Sequence, residues 1–164
     1  GDLALDILDA IPRSRINDVC YLDVTDTERP VGFNPATRIA PERRALAASG
    51  RRDFAVYSGD DITALPLLLL GGHGVISVTA NVAPKLMAEM CNAARKGDIA
   101  TARARNDRLL PLHRKLFVEA NPIPVKWALS EMGLIQNELR LPLMPLSPQY
   151  HDVVRGALRE AGCL

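Results

Sequence analysis

Residues 54–81 read FAVYSGDDITALPLLLLGGHGVISVTAN, and no other stretch restricts the possible folds as tightly. Residues 54–58 alternate and are rich in β-formers. Gly59-Asp60-Asp61 stops that strand and opens a helix over 62–70. Gly71, Gly72 and Gly74 punctuate the return, and 75–79 is a second β-branched run. Two strands joined through a helix in so few residues pair in parallel, with a right-handed crossover. In such units the polar residues just after each strand face the ligand side. Gly59, Asp60 and Asp61 hold that place after the first strand, and Ala80 and Asn81 after the second.

The remainder of the chain is helical in pattern. Pro84 suits a first helical turn and Gly97 a stop, which predicts a helix over 83–96 with Leu86, Met90 and Ala93 on one face. Asp98 is placed to cap the next helix, which runs to about Val118. Its inner stripe is Ile99, Ala102, Asn106, Leu109, Leu110, His113, Leu116 and Phe117. Asn121-Pro122-Ile123-Pro124 breaks the chain and begins another helix that closes at Gly133. A loop over 141–147 follows, and Ser147-Pro148 opens a last helix to about Ala161. Upstream, residues 2–11 and 41–48 read as short helices, 19–24 as a strand and 25–35 as turn-rich, with a junction at Gly50-Arg51-Arg52. The expected organisation is therefore an α/β segment over 1–52, a βαβα unit over 53–97 and a helical extension over 98–164.

Composition narrows the function classes. The chain has 164 residues, the size of one ordinary domain, and 48% are apolar. A net charge of +1 gives no electrostatic argument for nucleic acid or an anionic membrane. Cys20, Cys91 and Cys163 are odd in number and far apart, which forms neither a disulfide framework nor a metal spacing and fits a reducing compartment. No secretory leader is visible, and the longest apolar run, 64–70, is too short to span a bilayer. The expectation is a cytoplasmic protein with no metal.

Each polar motif also has a plain structural reading. Asp60 and Asp61 suit a helix cap and its favourable first-turn charge as well as they suit ligand contacts. The three glycines read as a tight turn, since no P-loop lysine follows. His73 sits on the face opposite the presumed pocket. His113 falls on the apolar stripe as a hydrogen-bonded core histidine, and His151 is expected to be solvated. Arg103, Arg105 and Arg108, interleaved with acids, read as a solvated helix face. Trp127 and Phe117 read as core or interface anchors.

From about Asp53 onward, the words YSGDD, GGHGVISVTANV, LLPLHRKLFVEANPIPVKWAL and LRLPLMPLSP closely resemble the C-terminal part of the dihydrodipicolinate synthase family. The resemblance implies a partial (β/α)8 TIM barrel, strands seven and eight, with a helical C-terminal extension and a short N-terminal α/β segment. It implies a homo-oligomeric class I aldolase-type lyase without cofactor, which condenses pyruvate with aspartate semialdehyde through a lysine Schiff base, in lysine and diaminopimelate biosynthesis. Gly59 and Ile76 match positions lining the pyruvate pocket, Asp60 and Asp61 match the acidic pair at the second substrate's site, and Asn121 matches an asparagine near it.

One departure limits that implication. The family's Schiff-base lysine ends strand six in an I-K-E-A-T run, and no such run occurs here. The four lysines are Lys85, Lys96, Lys115 and Lys126, all expected in helices. No catalytic residue is therefore carried over, and the chain is expected to be a truncated lyase, inactive alone. Residues 1–50 resemble a fragment of a conjugative-transfer or secretion coupling ATPase, but without G-x-x-x-x-G-K-[ST]. The alternatives are a non-catalytic fusion or oligomerisation module and, behind it, a DNA-motor fragment.

Overall fold

The computed structural model describes residues 55–164, together with the backbone of one strand at Val19–Leu22. The helices expected at 2–11 and 41–48, the turns at 25–35 and the junction at 50–52 lie outside the described residues. The strand Val19–Leu22 (β1) pairs in parallel with Ala55–Ser58 (β2), Val19 opposite Ala55 and Leu22 opposite Ser58. On its other side β2 pairs in parallel with Gly74–Val75 (β3), Tyr57 opposite Gly74 and Ser58 opposite Val75. The sheet order is β1-β2-β3. Helix Ala64–Leu69 (α1) makes the crossover and buries Ala64, Leu65, Leu67 and Leu68.

The Gly-Gly-His-Gly return works by close approach. A Cβ on Gly72 would fall 1.8 Å from Leu67 Cδ2, and one on Gly74 would fall 2.8 Å from the ring of Tyr57. Only hydrogen fits at either position, so α1 and β3 can press against one another and against β2. His73 reinforces the strand start. Its N–H donates to Val56 O at 2.8 Å, and Val56 N–H donates to its Nδ1 at 2.9 Å. This lies at the opposite end of the strands from Gly59, as expected.

β3 is shorter than the sequence pattern predicts. The β-branched run 75–79 continues only to Val75 in the sheet, and Thr79–Asn81 forms a 3-10 turn. Propensity favoured strand, but the amides of Val78 and Thr79 are captured by a side chain from another loop, which bends the chain out of the sheet.

Four further helices follow: Pro84–Lys96 (α2), Ile99–Lys115 (α3), Ile123–Glu131 (α4) and His151–Ala161 (α5). Pro84 occupies the start of α2, and Gly97 ends it at φ +80°, a left-handed position that glycine takes without a Cβ penalty. Asp98 caps α3 by accepting from Thr101 N–H at 3.0 Å, which also holds its carboxyl below the usual range. The core gathers where α2, α3 and α5 meet. Met90, Leu109, Leu112, Leu116 and Leu158 are fully buried there. The stripe expected on α3 holds at Ala102, Leu109, His113 and Leu116. Its ends depart, since Ile99 and Phe117 are exposed and Leu112 is buried in their stead. Among the described residues, no helix is long and apolar enough to cross a membrane.

His151 also differs from expectation. Its ring stacks on Trp127 with centroids 4.6 Å apart, and its Nε2 lies 3.0 Å from Leu146 O. Arg155 sits over the same Trp127 ring and pairs with Glu131 and Asp152, each at 2.7 Å. These partners come from α4, α5 and the loop between them, so no pattern within one helix reveals the stack.

Because Leu109 is fully buried at the centre of this cluster, Leu109→Ala is expected to lower unfolding free energy by about 2–5 kcal/mol. Ile99→Ala, at an exposed position, is expected to cost under ~1 kcal/mol. Urea unfolding of the two variants checks the contrast.

Candidate functional site

The tip of β2 is shaped by local hydrogen bonds. Ser58, fully buried, donates its hydroxyl to Asp60 O at 2.8 Å and accepts from Asp60 N–H at 3.1 Å. Asp60 Oδ2 then accepts from Thr63 N–H at 2.9 Å and from Thr63 Oγ1 at 2.7 Å. A short polar side chain in that place closes the turn into α1.

Asp61 does different work. It is 1% exposed, and its Oδ2 accepts from Val78 N–H at 3.1 Å and Thr79 N–H at 3.0 Å. The carboxylate thus ties the loop after β2 to the loop after β3. Thr79 carries the tie onward, since its hydroxyl lies 2.9 Å from Nδ1 of His113 on α3. Thr79 and His113 are both fully buried. Asp61 Oδ1 and His113 Nε2 are buried without a hydrogen-bond partner among the described residues. Burial pushes the His113 imidazole below its ordinary range, and the carboxylates of Asp61 and Asp60 oppose that shift.

Above this tie lies an open cleft of about 410 Å³. Gly59 and Ile76 form its strand side, and Asn81 from the 3-10 turn, Asn121 from the turn before α4 and Lys126 from α4 bring polar groups. Of the five residues expected to contact substrate, the structure brings Gly59, Ile76 and Asn121 to one cleft. Asp60 and Asp61 are not among its walls. Asp60 is engaged by Thr63, and Asp61 lies buried behind the cleft floor.

Lys126 was not expected there. It follows Pro122 by one helical turn, its N–H donating to Pro122 O at 3.0 Å. The prolines that start α4 therefore swing this lysine to the same wall as Asn121. Its Nζ donates to the carbonyl of Glu138. The remaining lysines also lie in helices, Lys85 and Lys96 in α2 and Lys115 in α3. None of the four ends a strand. As a chemical surface, the cleft offers backbone groups, two amides, the Ser77 hydroxyl and one ammonium, which suits a small carboxylate or keto acid held by hydrogen bonds.

The Dihydrodipicolinate synthetase family matches residues 24–161, and the chain belongs to that family. Among its relatives, the 4-hydroxy-tetrahydrodipicolinate synthase of Nitrosomonas eutropha is 68% identical over 132 residues, which cover 80% of this chain and 45% of that protein. The enzyme of the same name from Nitrosospira multiformis is 55% identical over 159 residues, covering 95% of this chain and 53% of the relative. The crystal structure of the chloride-inhibited dihydrodipicolinate synthase from Acinetobacter baumannii, complexed with pyruvate, superposes with a TM-score of 0.70 at 50% identity, over 77% of this chain and 43% of that one. The chain spans about half the length of the relatives it matches. The family match begins well before Asp53, the start expected from the quoted words, and the parallel pairing of β1 with β2 extends the parallel sheet on that side.

The buried His113 makes stability depend on pH. Its folded pKa lies below the unfolded value of 6.5. Between the two, the unfolded chain binds a proton that the native one does not, so stability rises with pH there. The contribution is complete above 6.5 and is lost as pH falls toward the depressed folded value. The urea midpoint is expected to drop between pH 7.5 and pH 5.5, and His113→Asn is expected to flatten that slope.

Proposed function

We propose that this chain carries one wall of the substrate pocket of a 4-hydroxy-tetrahydrodipicolinate synthase-type lyase, and that alone it catalyses no condensation. The observation behind the first part is the meeting of Gly59, Ile76 and Asn121 on one cleft. The synthase from Acinetobacter baumannii holds pyruvate, and the cleft's amides and ammonium suit a keto acid of that kind. Aspartate semialdehyde would be the second substrate, with Asp60 and Asp61 shaping its side of the pocket through the loops they fix and not by direct contact.

The second part rests on the missing amine. A Schiff-base lysine must be neutral to attack a ketone, and enzymes achieve this by enclosing it among apolar or cationic neighbours. Four lysines are present and all lie on helices. β1, the strand beside β2, reads Val-Cys-Tyr-Leu and brings no lysine to the sheet. Lys126 reaches the cleft, but that cleft is open, with Ile76 half exposed at its rim and the ammonium bonded to a backbone carbonyl. A homo-oligomer fits the apolar side chains left outside, Leu134, Leu141 and Met144 above all. The coupling-ATPase reading of residues 1–50 has no phosphate cradle to carry it.

Two measurements separate the parts. In intact-mass analysis after pyruvate and borohydride, the full chain is expected to keep its unmodified mass, and an adduct on any lysine would overturn the claim of inactivity. In an NMR titration with pyruvate, the amides of Gly59, Ile76 and Asn121 are expected to shift together, and silence at all three would remove the pocket.

A further inference from the structure

A second cleft, of about 460 Å³, opens between the start of α2, the middle of α3 and the end of α5. It shares no wall residue with the first. Three cationic side chains line it, Lys85, Arg105 and Arg108, against a single carboxylate, Glu89. The apolar walls are well packed, with Val82, Ala83 and Ala161 all nearly inaccessible. Both guanidiniums are held in place. Arg105 Nε lies 2.7 Å from Glu89 Oε2, and Arg108 Nη2 donates to Ala161 O at 2.8 Å. A guanidinium carries five donors, so each anchored group keeps most of its fork for something else. Lys85 has no ion-pair or hydrogen-bond partner among the described residues.

The start of α2 adds to the same field. Its N-cap residue is Ala83, which supplies no side-chain hydrogen bond, and its first turn contains no acid. Pro84 has no N–H and Met87 N–H is taken by Ala83 O, so the N–H groups of Lys85 and Leu86, with the positive end of the helix dipole, are what this turn leaves uncompensated. A merely solvated basic face would lack both the concavity and the side-chain anchoring seen here.

We propose that this cleft binds a small organic anion, its carboxylate or phosphate group held by Arg105, Arg108 and Lys85 and its apolar body against Val82 and Ala161. The volume suits a metabolite-sized ligand. Arg–oxyanion pairs of this kind favour forked, two-bonded recognition over loose ion association. The site is separate from the pyruvate cleft, so its occupancy stands or falls independently of the lyase reading.

The test is an NMR titration of the full chain, with succinate and with inorganic phosphate as probes, and with chloride at matched ionic strength as control. Saturable shifts are expected at the amides of Lys85, Leu86, Arg105 and Gly162. Stronger saturation by succinate assigns a carboxylate ligand, and stronger saturation by phosphate assigns a phosphorylated one. The double variant Arg105→Gln/Arg108→Gln is expected to weaken binding at least about tenfold. Since Arg108 also holds the end of α5, Lys85→Gln provides the second variant. That exposed side chain has no contact to lose, and a drop in affinity of about threefold is expected with the spectrum otherwise unchanged. Linear, non-saturating shifts would overturn the site, and so would equal effects from chloride or unaltered affinity in both variants.

Discussion

The carboxylate of Asp61 holds together what the rest of the site depends on. Two parallel strands end side by side, and the loops that leave them have no reason of their own to stay in register. Asp61, rooted after β2, accepts both amide protons that open the 3-10 turn after β3. Buried amides must find acceptors, and an ionised acceptor is the strongest on offer. The bond to Thr79 then passes, through the hydroxyl, to His113 in the middle of the helical layer. Sheet, turn and α3 are thereby joined by a line of polar contacts that runs beneath the cleft. This tie explains why a β-branched run leaves the sheet early, and why Ile76 and Asn81 face the same opening as Gly59.

The tie also recasts the paired aspartates. Their position after a strand invites a direct role at a substrate. The structure gives both a prior engagement, Asp60 with Thr63 and Asp61 with the Val78 and Thr79 amides. A group that builds the wall can decide what the wall accepts without touching the ligand. The amides of Asn81 and Asn121, the hydroxyl of Ser77 and the ammonium of Lys126 are the polar side chains that line the opening.

Much of this was legible in the sequence where local chemistry decides. Pro84, Gly97, Asp98 and Gly133 mark helix ends that the structure reproduces, because caps and left-handed stops act within a few residues. A strand near Val19 was legible as well, and the structure pairs it in parallel with the one after Asp53. What escaped were contacts between elements distant along the chain. The shortened β3 answers to Asp61, the stacked His151 answers to Trp127, and Lys126 reaches the cleft through the angle at which α4 leaves Pro122. The exposed Ile99 and Phe117 are a milder case, since helical spacing says which face a residue shares but not where a neighbouring helix ends.

Amide hydrogen exchange at Val78 and Thr79, compared between the natural chain and Asp61→Ala, tests the tie most directly. Losing the acceptor strands two buried donors, each worth about 1–3 kcal/mol. The account predicts that both amides are protected in the natural chain and exchange at least about tenfold faster in the variant, while the Leu109 amide keeps its rate. Equal rates at Val78 and Thr79 in the two proteins would contradict it.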